Sequence, residues 1–323
     1  MMRKISSLVF IAVFICMGAS AKIWRVNNMP GVTADFTTAQ AAHDGANAGD
    51  TIHLEPSVNS YGGLSTNKKL YWVSIGSFLT QNPGNQFSTT PGIISSLTVN
   101  PGSTGSIFSV TVNNGVYINS SGVTVTRTQF DVNNAGYTLT VSADNVILTQ
   151  GYTGAGDISI VNSSTNATIN NNIVAYLSMS SNTTAAITNN VFSSTSASTA
   201  FIYNSVFQNN IMKGYVWNFV NSTVSYCMHA GTGIPAGNNN QLNVNMANVF
   251  VNDAATADKD YILKTGSPAI GTGFGGVDMG AFGGTTPFKL ALQPPIPAIT
   301  NLSSPSSSGG TTIQVTFSAK SNN

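Results

Sequence analysis

Charge is scarce in this 323-residue chain. Asp, Glu, Lys and Arg together make up 7% of it, with twelve Lys and Arg against eleven Asp and Glu. Such a balance cannot build the clustered cations of a nucleic-acid footprint, so no nucleic-acid partner is expected. Carboxylates are sparser still in the middle: between Glu55 and Asp253 only Asp131, Asp144 and Asp157 occur. General acid–base catalysis needs titratable groups held within reach of substrate, so this supply limits the chemistry the central region can do. Cysteine is nearly absent, with Cys16 and Cys227 alone, and no DxD, ExxH or CxxC spacing suggests a metal site. No segment beyond the first residues approaches the roughly 20 apolar positions a membrane helix requires.

The first residues have a separate logic. Met1-Met2-Arg3-Lys4 is basic, Leu8 to Met17 is apolar, and Gly18-Ala19-Ser20-Ala21 is small. That order predicts a secretory signal over residues 1–21, cut after Ala21, and a product that is secreted or held at the cell surface. Bulky Val13-Phe14-Ile15 before Cys16 argue against a lipid-modified cysteine. Removal of Arg3 and Lys4 leaves ten basic residues against eleven acidic ones, and Cys227 without an intramolecular partner.

What the chain does have is 41% hydrophobic residues and an abundance of Asn, Thr, Ser and Gly. That is enough apolar content for a large core. Short apolar segments recur, and several end in an Asn pair: Ile169-Asn-Asn-Asn-Ile173, Ile187-Thr-Asn-Asn-Val191 and Phe207-Gln-Asn-Asn-Ile211. If Val125, Ile147, Ile169, Ile187, Phe207 and Val224 are equivalent inward positions, the spacings are 22, 22, 18, 20 and 17. A coil of about twenty residues, built from short strands and tight turns, describes a parallel β-solenoid. The competing all-β reading is a hairpin sandwich, but hairpin signals such as Asn114-Gly115 do not recur with the period.

The ends fit the same architecture. From Thr33 to Asp50, Phe36, Ala39, Ala42 and Ala46 share a helical face, with Thr33 or Asp35 as its cap. Thr51-Ile-His-Leu54 comes next as the expected first strand. The DFTTAQAAHDGANAGDTIHL opening and the later SPAIGTGFGGVDMGAFGG resemble the two ends of secreted bacterial right-handed parallel β-helix proteins of the pectate-lyase-like superfamily, in particular members without assigned chemistry. The resemblance implies a β-helix domain over about 22–285. A Pro-rich connector over 286–300 and a short strand pair or spacer over 301–323 are expected after it. It does not imply one function, because that fold hosts lyases, hydrolases, adhesins and binders.

Three groups of residues are candidates for a role. Asn172, Asn190 and Asn210 are expected to stack as a structural ladder, the alternatives being amides for sugar hydroxyls or for ice. Arg127, Asp131 and Asp157 are the best charged cluster on offer for a lyase or hydrolase. The resemblance would add Ca²⁺ in a lyase, and no cofactor otherwise. Lys213, Tyr215 and Trp217 form an aromatic and polar stretch that could stack on a sugar ring if its face is outward, although strand alternation reads better with the aromatic face in the core. His43, His53 and Cys227 read as structural. The expectation is a monomeric, non-catalytic protein that recognises an extracellular polysaccharide or cell-surface component, or plays a structural part there. The alternative is an enzyme acting on such a glycan.

Overall fold

A computed structural model describes residues 21–130, 138–254, 257–304 and 312–322. The chain winds into a parallel β-solenoid of about nine turns with one short helix on its N-terminal side and an antiparallel β-pair at its C-terminal side. Among the described residues no helix is long and apolar enough to cross a membrane.

Three parallel sheets form the sides. The long sheet has ten strands, from Ile23–Val26 to Thr223–Ser225, stacked one per coil. The second sheet has six strands, from Gly63–Thr66 to Leu177–Met179, followed by the pair Thr199–Tyr203 and Val216–Val220. The third sheet is built of two-residue strands such as Ile173–Val174, Val191–Phe192 and Ile211–Met212, with Tyr152 bridging its two halves.

Alternation decides what faces inward. The inward column of the long sheet runs Phe108, Val125, Leu148, Ile169, Ile187, Phe207, Val224. Ile147, expected in that column, is instead 39% exposed and aligned with Thr124 and Thr168, while Val146 and Leu148 point in. Three consecutive apolar residues hide the phase there, and a shift of one residue reverses the face.

The helix is shorter than expected, spanning Ala39–Gly45, and its cap is Thr38, whose hydroxyl accepts from the Ala41 N–H at 3.2 Å. Asp35 is engaged elsewhere, accepting from the Arg25 N–H at 2.9 Å, and Phe36 forms a β-bridge with Val26. Those pairings keep the chain extended before Thr38. Ala39 and Ala42 are buried over the open coil end. The first strand is Ile23–Val26, and Thr51–Leu54 pairs onto it as the second. The Asp50 carboxylate ties the two, accepting from Lys22 N and Trp24 Nε1, both at 2.8 Å.

Each Asn pair divides two tasks at the corner between the long and third sheets. Asn171, Asn189 and Asn209 take left-handed backbone, with φ of 56°, 55° and 57°, a conformation Asn tolerates well. The next residue then turns inward. Asn172 Nδ2 donates to Asn190 Oδ1, and Asn190 Nδ2 to Asn210 Oδ1, each at 3.0 Å. The backbone N–H groups of Asn172 and Asn190 also donate to those oxygens, at 3.0 and 2.8 Å. All three side chains are buried.

After the last coil the chain turns back and runs down this corner as a strap. The left-handed residues of successive coils hold it. The Phe274 N–H donates to Asn209 Oδ1 at 2.8 Å, and Asn189 Nδ2 donates to Asp278 O at 3.1 Å. Asn171 Nδ2 donates to Ala281 O and Gly283 O at 2.9 and 2.7 Å, and Gln150 Nε2 to Pro287 O at 2.6 Å. Both residues of the later two-residue strands are buried, because Ile173, Val191, Ile211 and Met228 form a second apolar layer with Met246, Phe250, Tyr261 and Met279 from the returning chain. Phe288 and Leu292, in the segment expected as an extended connector, are buried in the same layer. The strap ends against Gly76 (φ 105°), where any Cβ would collide with the Ala291 carbonyl, which accepts from Ser77 N at 2.8 Å. Beyond it, Ala298–Ser303 and Thr316–Lys320 pair antiparallel.

Candidate functional site

The structure redistributes the candidate residues. Arg127 stands at the same corner as the Asn pairs, also with positive φ (47°). Its Nε donates to Gln150 Oε1 at 3.0 Å, and Nη1 donates to the carbonyls of Gln293 and Asn322 at 2.9 and 3.1 Å. Burial lowers its pKa, and among the described residues it has no carboxylate partner. Its described bonds make it a further clamp on the strap. Asp157 opens a strand of the second sheet, Asp157–Ile160, across the width of the third sheet from Arg127. The structure does not bring the two together, because the third sheet separates their corners. Asp131 lies outside the described residues.

The aromatic stretch divides as well. Trp217 is 3% exposed, packs between Phe192 and Phe207, and donates from Nε1 to Gly214 O at 3.1 Å. It faces the core and offers no platform to a sugar, a correction that comes from strand alternation through Val216–Val220. Lys213 is engaged at its Nζ, which donates to Asp253 O at 2.7 Å and lies 3.3 Å from Asp253 Oδ2. Tyr215 is half-buried at the corner before that strand, its ring centroid 6.1 Å from that of Trp217.

What it meets there is Tyr176, which the sequence does not single out. The two rings stack with centroids 5.0 Å apart and planes 12° off parallel. Both belong to the corner where the third sheet leads into the second. Tyr176 precedes Leu177–Met179, and Tyr215 precedes Val216–Val220 two coils later. The rings meet across the intervening coil, which carries only Ser193-Ser-Thr-Ser-Ala-Ser198 at this corner. Gly214 lets that loop pass, since a Cβ there would press on Ser194 O and Ser196 O.

Tyr215 has φ of 64°, a strained value for an aromatic residue. The buried His229 holds it. Its Nδ1 accepts from the Gly231 N–H at 2.8 Å, which leaves the proton on Nε2. Nε2 then donates to Gly214 O at 3.0 Å and Tyr215 O at 2.9 Å. Tyr176 is set from the other side. Burial, and then the neighbouring Asp157 carboxylate through hydrogen bonding and charge, push its hydroxyl up to about 12. Beside the pair lies a shallow cleft of about 290 Å³ lined by Gly154, Ala155, Ala175, Ser193, Ser194 and Thr195. The corner therefore combines two fixed aromatic rings, one carboxylate and a floor of small and hydroxylated residues. Asp157 comes to it from the expected charged cluster and Tyr215 from the expected aromatic stretch, joined by Tyr176.

The acids of the returning chain are structural. Asp258 is fully buried, accepting from Asn82 Nδ2 at 3.0 Å and from Ala291 N at 2.5 Å. Asp260 accepts from Asn252 Nδ2 and Ala257 N, both at 3.0 Å. Comparison with known proteins finds no matching family, no similar curated protein and no similar solved structure.

Proposed function

We propose that this is an exported β-helix protein that binds an extracellular polysaccharide without cleaving it, at the cleft beside Tyr176 and Tyr215. The observation that carries this reading is the strained backbone of Tyr215, fixed by a buried histidine so that its half-buried ring stands parallel to that of Tyr176. Strain of this kind persists only where the surroundings over-determine it, and it concentrates at binding sites. Flat phenol rings present apolar faces to the C–H side of a pyranose, while the hydroxyls of Ser194 and Thr195 can exchange hydrogen bonds with sugar hydroxyls.

The test is a panel of soluble glycans measured by calorimetry, with reducing ends and unsaturated products monitored in parallel. Binding without turnover, weakened at least tenfold by Tyr215→Ala, is the expected result. Turnover would replace this reading with the enzymatic one. Binding that is indifferent to Tyr215→Ala would move the site elsewhere.

A further inference from the structure

In a chain with so little charge, one cleft gathers cations. It lies where the strap meets the C-terminal residues, encloses about 370 Å³, and is lined by Asn85, Arg127, Lys289, Gln293, Ser321 and Asn322 among others. Lys320 stands at its rim, where Nζ donates to Asn85 Oδ1 at 2.6 Å. Two of the twelve Lys and Arg thus line the cleft and a third borders it, with no Asp or Glu in the lining. The cleft stands at the other corner of the third sheet from Tyr176 and Tyr215, and nothing in it depends on the glycan-binding reading.

Arg127 carries the argument. Its Nε and Nη1 are taken up by Gln150 and by two backbone carbonyls, all of them neutral acceptors. Nη2 makes no bond among the described residues, and the half-buried guanidinium has no carboxylate beside it there. A charge withdrawn from water without a counter-charge is costly, and an anion at the free edge offsets that cost. Asp258 is no substitute, because its buried carboxyl is occupied by Asn82 Nδ2 and the Ala291 N–H. A carboxylate ligand would offer two oxygens, which the Arg127 edge alone could satisfy. Sulfate and phosphate carry more oxygens and more charge, and so suit cations that arrive from three segments: a coil, the strap and the strand pair.

We propose that this cleft is a site for a tetrahedral oxyanion, sulfate or phosphate, either free or as an ester on a polymer. Arg127 Nη2 and Lys289 are its direct cations, and Lys320 adds charge at the rim.

The experiment titrates sodium sulfate, phosphate and acetate into the whole protein by calorimetry, in chloride buffer of fixed ionic strength. The expected result is saturable binding of sulfate and phosphate, at least fivefold tighter than that of acetate. Lys289→Gln, whose side chain makes no described hydrogen bond, should weaken sulfate binding at least threefold with the far-ultraviolet dichroism unchanged. Arg127→Lys keeps the charge but loses the planar fork, and should weaken it at least fivefold. Sulfated and unsulfated dextran of equal length separate the two sources. Sulfated polymer that binds the native protein more tightly than Lys289→Gln assigns the ester, and binding confined to the free anions assigns those. Acetate as tight as sulfate, binding indifferent to Lys289→Gln, or no saturable binding of either oxyanion overturns the proposal.

Discussion

Asn190 is fully buried, and its amide serves two neighbouring coils at once. Nδ2 donates to Ile169 O at 2.9 Å and to Asn210 Oδ1, while Oδ1 accepts from the backbone and the side chain of Asn172. Replacing it with Ala orphans the Ile169 carbonyl and the Asn172 N–H together, each at a cost of about 1–3 kcal/mol. Asn190→Ala should therefore lose about 3 kcal/mol in urea unfolding. Asn190→Asp should lose more, because a carboxylate would face the Ile169 carbonyl that now receives a hydrogen bond. One coil beyond Asn210, Cys227 occupies the corresponding slot. Its Sγ lies 3.6 Å from Phe207 O, and burial pushes its thiol up to about 12. Cys227→Asn should be neutral or stabilising by up to about 1 kcal/mol, since it extends a ladder already built for that side chain. A loss above about 2 kcal/mol would show that the slot is not equivalent.

Among the elements, the corner carrying Tyr215 and the returning strap make separate predictions. His229→Ala removes the donor that pins the carbonyls of Gly214 and Tyr215. Amide exchange should accelerate over residues 213–216 and glycan affinity should fall at least fivefold, with the far-ultraviolet dichroism unchanged. In the strap, burial holds the Asp258 carboxyl above its ordinary value of 3.8. The folded chain then binds this proton more tightly than the unfolded chain does. Its contribution favours folding below 3.8 and is lost as pH rises through the higher folded value. Asp258→Asn should make the slope of stability against pH more positive in the window just above 3.8, read from urea midpoints across that range. The sequence made some of these elements plain and hid others. Asn pairs before a β-branched residue announced the coil corners, because few residues other than Asn and Gly accept left-handed backbone. Tyr176 stayed hidden inside Ile173-Val-Ala-Tyr-Leu177, which reads as one apolar strand although a corner splits it. The strap stayed hidden because Met246, Phe250, Tyr261 and Met279 obey neither helical nor strand periodicity. They answer to the outer layer of other coils, a relation with no local signal.

For the whole molecule, the coil period and the inward phase on the long sheet could be read ahead of the structure, except where Val146-Ile147-Leu148 removed the alternation. The site could not, since it joins residues from four coils that share only a corner. A solenoid ordinarily behaves as a one-dimensional array in which each coil feels its neighbours alone. Here Arg127 meets Gln293, and Gln293 Nε2 donates to Asn85 O at 2.5 Å across 208 residues. Unfolding should therefore be a single transition by dichroism and fluorescence, with coincident midpoints. The triple variant Asn171→Ala, Asn189→Ala, Asn209→Ala should separate the two probes by releasing the strap first.

The strap is made after every coil that it runs along, and the amides that grip it are set one per coil, at strand intervals of about 4.8 Å. A slip of one residue in any coil would turn its amide into the core and leave the strap backbone groups it held ungripped. The returning chain thus works as a gauge. It closes fully only on a stack whose every coil is in register, so the end of the chain proofreads the winding of its middle.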